Sequence, residues 1–124
     1  HQSMFRGMVI DAYDVRCAVC RLKHGDLLDA AHIVADREET GLAIVSNGIS
    51  LCKIHHAAYD RNLLGVSADY VVHINERLLA ETDGPMLKHG LQEMHGQGLT
   101  LPRHKASRPD PERLSTRFTV FAAS

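Results

Sequence analysis

A chain of 124 residues, 44% hydrophobic and 23% charged, has the composition of one globular domain, and it contains no apolar run near the roughly 20 residues that cross a bilayer. A formal net charge of −1 excludes a large basic surface as the main grip on nucleic acid, so a nucleic-acid enzyme of this composition needs a second domain to supply affinity. Three cysteines, two of them spaced C-x-x-C, exclude a disulfide framework and fit metal ligation in a reducing, cytoplasmic setting.

Residues 1–3 precede Met4 and read as an expression scar, which leaves 4–124 as the domain. Phe5, Met8, Val9, Ala12 and Tyr13 recur at helical spacing, which predicts a short amphipathic helix leading into the first cysteine pair. Residues 27–33 are a short apolar run after Gly25-Asp26, and they predict a strand. The polar stretch 36–41 predicts turns, and Asn47-Gly48 predicts a turn ahead of a second strand over 49–52. The two strands pair as a hairpin, followed by a helix over 53–61 that ends near Asn62. Residues 63–66 and 70–74 predict a second hairpin, turning at Ser67-Ala68-Asp69 and extending the same small sheet. Weak helix is expected over 85–95, stopped by Gly96 and Gly98, and then a linker punctuated by Pro102, Pro109 and Pro111. Asp110 followed by Pro111 is a helix start, and the last helix runs to about Phe121.

Cys17-x-x-Cys20 and Cys52-x-x-His55 are two knuckles whose spacing lets paired ligands meet on one tetrahedral ion, a closed structural Zn²⁺ site. Asp29, His32, Asn47, His56 and Asp60 lie between and just after the knuckles, and the zinc needs none of them. On a strand Asp29 and Ala31 share one face while His32 points to the other. On a helix His56 and Asp60 stand one turn apart on the same face, able to share a ligand. Adjacent His55 and His56 point about a quarter-turn apart, so one can serve the zinc and the other a neighbouring cavity. The remaining histidines, His24, His73, His89, His95 and His104, belong to no motif, and Arg103, Lys105 and Arg108 read as a solvated stretch.

The run Cys17-Ala-Val-Cys20, Ala30-Ala31-His32-Ile33-Val34, Ser46-Asn47-Gly48 and Leu51-Cys52-Lys53-Ile54-His55-His56, with Tyr59-Asp60, resembles the HNH (ββα-metal) endonuclease family, in its zinc-containing branch associated with restriction enzymes, and the tail with Leu101-Pro102, Arg108-Pro109-Asp110 and Leu114 through Phe118 looks like the same branch. The resemblance implies an α+β fold: a small ββα-metal core over about 13–75 with flanking helices, an additional hairpin and a C-terminal extension over about 76–124. It also implies that His32 is the general base, that Asn47 braces the metal loop or orients the histidine, and that His56 is a ligand of a catalytic Mg²⁺ or Mn²⁺ ion. Hydrolysis of DNA to a 5′-phosphate follows from that assignment. The family usually has Asp, Glu or His directly before the base, and here Ala31 stands there. Asp29 and Asp60 are the candidate replacements as metal ligands. The implied partners are DNA, a fused recognition domain outside this chain, and a second copy when both strands are to be cut. The empty ligand position at Ala31 leaves open a second reading, a noncatalytic zinc-binding interaction module, and RNA as substrate is a third.

Overall fold

The computed structural model describes residues 2–35 and 44–124; the expected turns at 36–41 lie outside the described residues. The elements in chain order are α1 (Gln2–Ala12), β1 (Leu28–His32), β2 (Gly48–Cys52), α2 (Lys53–Asp60), β3 (Leu64–Val66), β4 (Val72–Ile74), the single turn α3 (Glu76–Leu79) and α4 (Pro111–Ala122). Helix α1 begins at Gln2, so residues 2 and 3, set aside from the sequence alone, belong to its first turn. Its buried stripe is Phe5, Val9, Ile10 and Tyr13, while Met8, expected inside, is exposed. Positions 5, 9 and 13 repeat every four residues, and Met8 falls off that stripe.

Strands β1 and β2 form the expected antiparallel hairpin, with Leu28 opposite Cys52 and His32 opposite Gly48. Because side chains alternate across a strand, Leu28, Ala30 and His32 face one way and Asp29 and Ala31 the other. Helix α1 covers the first face, where the Phe5 ring stacks on His32 at 4.3 Å and 13°. Helix α2 covers the second, where His56 meets Asp29 at 2.8 Å. With both faces covered, β2 is buried at every position from Gly48 to Cys52. Ser50 keeps its hydroxyl satisfied there by donating to the Arg16 carbonyl at 2.8 Å.

Gly48 has φ −131 and ψ 153, an extended conformation open to any residue. The turn ahead of it is a tight 3₁₀ turn over Val45–Asn47, so Gly48 serves a purpose other than the turn. A Cβ at Gly48 would stand 2.5 Å from Val9 Cγ2 and 2.9 Å from Phe5 Cζ. Glycine is what lets α1 lie directly on the hairpin. Gly48→Ala is therefore expected to lower stability by about 1–3 kcal/mol through overpacking. An unchanged urea midpoint would show that α1 shifts without cost.

Strands β3 and β4 pair as expected but do not extend the first sheet; they form a second two-stranded sheet. Their packing partner is α4, whose Phe121 ring lies where a Cβ on Gly65 would be, its nearest atom 2.5 Å away. The stretch read as a linker is a packed strap. Leu99 N–H donates to Tyr70 O at 2.8 Å, Thr100 N–H to Ala18 O at 2.8 Å and Asp110 N–H to Ser46 O at 2.9 Å, which ties both hairpins together. Pro102, within the strap, is fully buried. Helix α4 starts as its sequence dictates, with the Asp110 carboxylate accepting from the Glu112 N–H at 3.4 Å and Pro111 in the first turn. Buried side chains from α1, both hairpins, α2 and α4 belong to one hydrophobic cluster. Among the described residues no helix is long and apolar enough to cross a membrane.

Candidate functional site

Cys17 and Cys20 sit on a tight reversal in which Arg21 N–H donates to Cys17 O and Cys17 N–H to Leu22 O, both at 2.9 Å. Arg21 completes the reversal with φ 64. The knuckle is pinned to β2 by Ala18 N–H donating to Ser50 O at 2.8 Å. Cys52 ends β2 and caps α2, its sulfur accepting from the His55 N–H at 3.5 Å. The cap turn thus places Cys52 Sγ beside the His55 ring. The ligand atoms of Cys17, Cys20, Cys52 and His55 all lie within 4.8 Å of one another. His55 Nδ1 is 3.6 Å from Cys17 Sγ and 3.2 Å from Cys52 Sγ. A tetrahedron with metal–sulfur bonds of about 2.3 Å and metal–nitrogen bonds of about 2.0 Å has sulfur–nitrogen edges of about 3.5 Å, so the cage is sized for one ion.

The opposite nitrogen of His55 completes the case. Nε2–H donates to the Gly90 carbonyl at 2.6 Å, which fixes the tautomer that leaves Nδ1 for the sulfurs. That carbonyl is presented by a wide turn over Met86–Leu91, where ordinary helix was expected. Electrostatics fit the same chemistry. Hydrogen bonds from the Cys20 and Cys52 thiols drive Cys17 far toward the thiolate, and the same sharing pushes Cys20 far up. Burial opposes a charge on His55, yet the Cys17 and Cys52 sulfurs and the Gly90 carbonyl lift it to about 10. A divalent ion would take the place of those shared protons.

The second cluster is built on the α2 face of β1. His56 Nδ1 is 2.8 Å from Asp29 Oδ2, and its Nε2 is 3.2 Å from Asp60 Oδ2. The other Asp29 oxygen accepts from Lys53 Nζ at 2.5 Å. Partial burial works against the Asp29 carboxylate, but Lys53 and His56 hold it below the usual carboxylate range. The structure therefore brings Asp29, His56 and Asp60 together, with the two carboxylates on opposite ring nitrogens and not converging on one point. His32 is hydrogen-bonded to none of the three. It lies on the α1 face, and among the described residues its buried Nε2 meets no hydrogen-bond partner. Asn47, fully buried, accepts from Val34 N–H at 3.0 Å and donates to Val34 O at 2.9 Å, so it braces the chain two residues beyond His32.

Arg117 of α4, within the tail that resembles the same branch, holds the site together from a distance. Its guanidinium donates to the carbonyls of His32 at 3.4 Å, Ile33 at 3.0 Å and Tyr59 at 2.6 Å, and it stacks 4.2 Å over the Tyr59 ring. One fork thus joins the end of β1 to the end of α2. Removing it takes away three charge-assisted hydrogen bonds and the ring contact at once, so Arg117→Ala is expected to cost about 3 kcal/mol. Arg117→Lys should recover only part of that, because a single ammonium cannot span the fork. A urea midpoint equal to wild type in the alanine variant would contradict this role.

A family model described as HNH endonuclease matches residues 17–67, from the first knuckle cysteine to just past β3. That segment is similar to the HNH endonuclease family. Its His32, Asn47 and His56 are the three positions that the sequence resemblance singled out, and they lie respectively at the end of β1, ahead of β2 and on α2. Among solved structures the chain is similar to the modification-dependent restriction endonuclease TagI, with a TM-score of 0.65 and 20% identity over 95% of this chain and 37% of that one. The two share a fold, and the chain spans little more than a third of TagI's length. No curated protein matches the sequence.

Proposed function

We propose that this chain is the cleavage domain of a restriction endonuclease, taken as one domain over 4–124, which hydrolyses DNA phosphodiester bonds in the cytoplasm. The observation that carries the proposal is the His56 imidazole held between the carboxylates of Asp29 and Asp60, on a helix whose first turn is locked by the Cys17, Cys20, Cys52 and His55 cage. The cage suits Zn²⁺ in a structural role, because its four donors are three sulfurs and one imidazole with no position left for substrate. The oxygen and nitrogen donors around His56 suit a harder ion, Mg²⁺ or Mn²⁺. Bound there, such an ion would polarise the phosphate and stabilise the departing 3′ oxygen.

The chain's own residues supply the rest. His32 stands at the last position of β1, at the end where Arg117 also gathers the C-terminus of α2. A phosphodiester lying across that end meets His32 from one face and His56 with its carboxylate neighbours from the other. Stacking on Phe5 fixes the His32 ring plane, and an imidazole held in one orientation is suited to remove a proton from an attacking water. Asn47 holds the backbone beyond His32 so that the ring does not drift. The small net charge and the 37% coverage of TagI both support a recognition domain outside this chain. Double-strand cutting with one site per chain calls for a homodimer.

The direct test is supercoiled plasmid incubated with zinc-loaded protein and Mg²⁺ or Mn²⁺, with and without a chelator. Metal-dependent nicking that leaves 5′-phosphate ends is the expected result. Intact plasmid at high protein concentration in every metal would overturn the nuclease and leave a zinc-held interaction module.

A further inference from the structure

We propose that the strap over 103–108 is a phosphate clamp that sets the register of duplex DNA across the His32 end of the first hairpin, with Arg103 and Lys105 as its contacts. The assignment gives the nuclease reading above a partner surface and rests on it.

Charge is the first observation. From Met94 to Pro109 the chain has no carboxylate, while Arg103, Lys105 and Arg108 all fall there, a local balance of +3 in a chain whose net charge is −1. The sequence alone reads these cations as a solvated stretch, but the structure fixes them in place. Arg108 Nε–H donates to the Pro102 carbonyl at 2.8 Å and closes the segment on itself. Ser107 N–H donates to His104 O at 3.0 Å, Arg108 N–H to Lys105 O at 3.1 Å and the Tyr70 hydroxyl to Pro109 O at 2.8 Å, so the backbone is ordered on both sides of the cations. Arg103, His104 and Lys105 are exposed on this loop. Arg103 meets Asp14 at a loose 3.7 Å, and among the described residues Lys105 pairs with no carboxylate. Cations already carried on ordered backbone lose little further freedom when a phosphate arrives.

Place is the second. The turn over Lys105–Ser107 packs against the turn over Val45–Asn47, and Asp110 N–H donates to Ser46 O at 2.9 Å. Asn47 O in turn accepts from Ile33 N–H at 3.0 Å, one residue beyond His32. The strap is thus tied to the end of β1 that carries the proposed base. Another exposed cation, Arg61, follows α2 two residues beyond Tyr59, whose carbonyl Arg117 joins to those of His32 and Ile33. A duplex lying over this end meets cations fixed to two separate elements, an arrangement that matches a repeating line of phosphates better than one compact anion. So few charges do not supply the affinity that the net charge denies. Phosphate contacts of this kind position DNA, and they leave sequence choice to other contacts.

The experiment titrates a fluorescein-labelled DNA duplex with the zinc-loaded chain, without added Mg²⁺, and reads anisotropy over a series of NaCl concentrations. Each lost phosphate contact lowers the slope of log K against log salt by about 0.9. Lys105→Ala should lower it by about that amount and the double variant Arg103→Ala, Lys105→Ala by about twice as much, while Lys105→Arg keeps the wild-type slope. Lys88→Ala, which removes an exposed cation on the wide turn at 86–91, should leave the slope unchanged. On plasmid with Mg²⁺, Lys105→Ala should raise KM severalfold with kcat within about twofold of wild type, the mark of a contact made equally in the ground and transition states. A wild-type slope in the double variant, a Lys88→Ala effect as large as that of Lys105→Ala, or wild-type protein that binds no duplex at low salt would overturn the clamp. Nicking by the wild type decides the nuclease reading separately, because the salt slope needs no cleavage. Retention of the slope by Lys105→Arg, with Lys105→Ala melting as wild type does, separates a lost phosphate contact from a disturbed fold.

Discussion

Stripping the zinc with a strong chelator is expected to unfold most of this chain. Structural zinc sites contribute on the order of 10 kcal/mol or more, as much as the whole stability of an ordinary domain. Here the cage joins three parts distant in sequence: the knuckle at Cys17, the junction of β2 with α2 at Cys52, and, through His55 and the Gly90 carbonyl, the wide turn at 86–91. Cys17 and Cys52 are also buried within the hydrophobic cluster, so negative sulfurs without a cation would repel one another out of water. Circular dichroism after chelation should show loss of helix, reversed by one equivalent of Zn²⁺ and accompanied by proton release on metal return. Cys52→Ala should do the same without chelator, and more severely than Cys20→Ala, because Cys52 also caps α2. A chelated protein that melts at the wild-type temperature would refute the structural role.

The cage was legible because each half is local. Two residues between ligands, in Cys17-x-x-Cys20 and Cys52-x-x-His55, fix a turn that needs no knowledge of the rest of the fold. The hairpin of β1 and β2 and the start of α4 at Asp110-Pro111 were readable for the same reason, being set by alternation and by a cap within a few residues. Asn75 caps α3 through its side chain, with Arg77 N–H as donor at 2.9 Å, an equally local signal just beyond the expected second hairpin.

What the sequence hid is tertiary. Gly48 looks like a turn residue next to Asn47, and only the approach of Val9 and Phe5 shows that it is there to make room. The Gly90 carbonyl has no side chain to advertise it, and Arg117 acts on backbone atoms 58 to 85 positions away. Whether β3 joins the first sheet depends on which edge is free, and packing of Phe121 against Gly65 gave the second hairpin another partner. For the candidate site, residue types and helical spacing place His56 and Asp60 together, and alternation puts Asp29 on a strand face of its own choosing, opposite His32. Which nitrogen faces which carboxylate depends on Lys53 and on side-chain rotamers, and no spacing rule encodes that.

Replacing His32 should nearly abolish cleavage while leaving the fold in place. Loss of a general base costs typically 10²- to 10⁴-fold, or about 3–5 kcal/mol of transition-state stabilisation. The cost to folding should be smaller, about 1 kcal/mol, because the ring's main interaction is its stack on Phe5, and the Arg117 bond is to the His32 backbone, which any residue retains. His32→Ala should therefore keep its zinc and its melting transition, bind Mn²⁺ as wild type does, and fail to nick plasmid. A purely structural role for the ring predicts a different pattern, in which activity and stability fall together and nothing added from outside restores either. The slot beside Phe5 left by the alanine is the size of the ring that was removed, so millimolar imidazole should restore part of the nicking rate if His32 supplies a proton acceptor and none of it if His32 only packs.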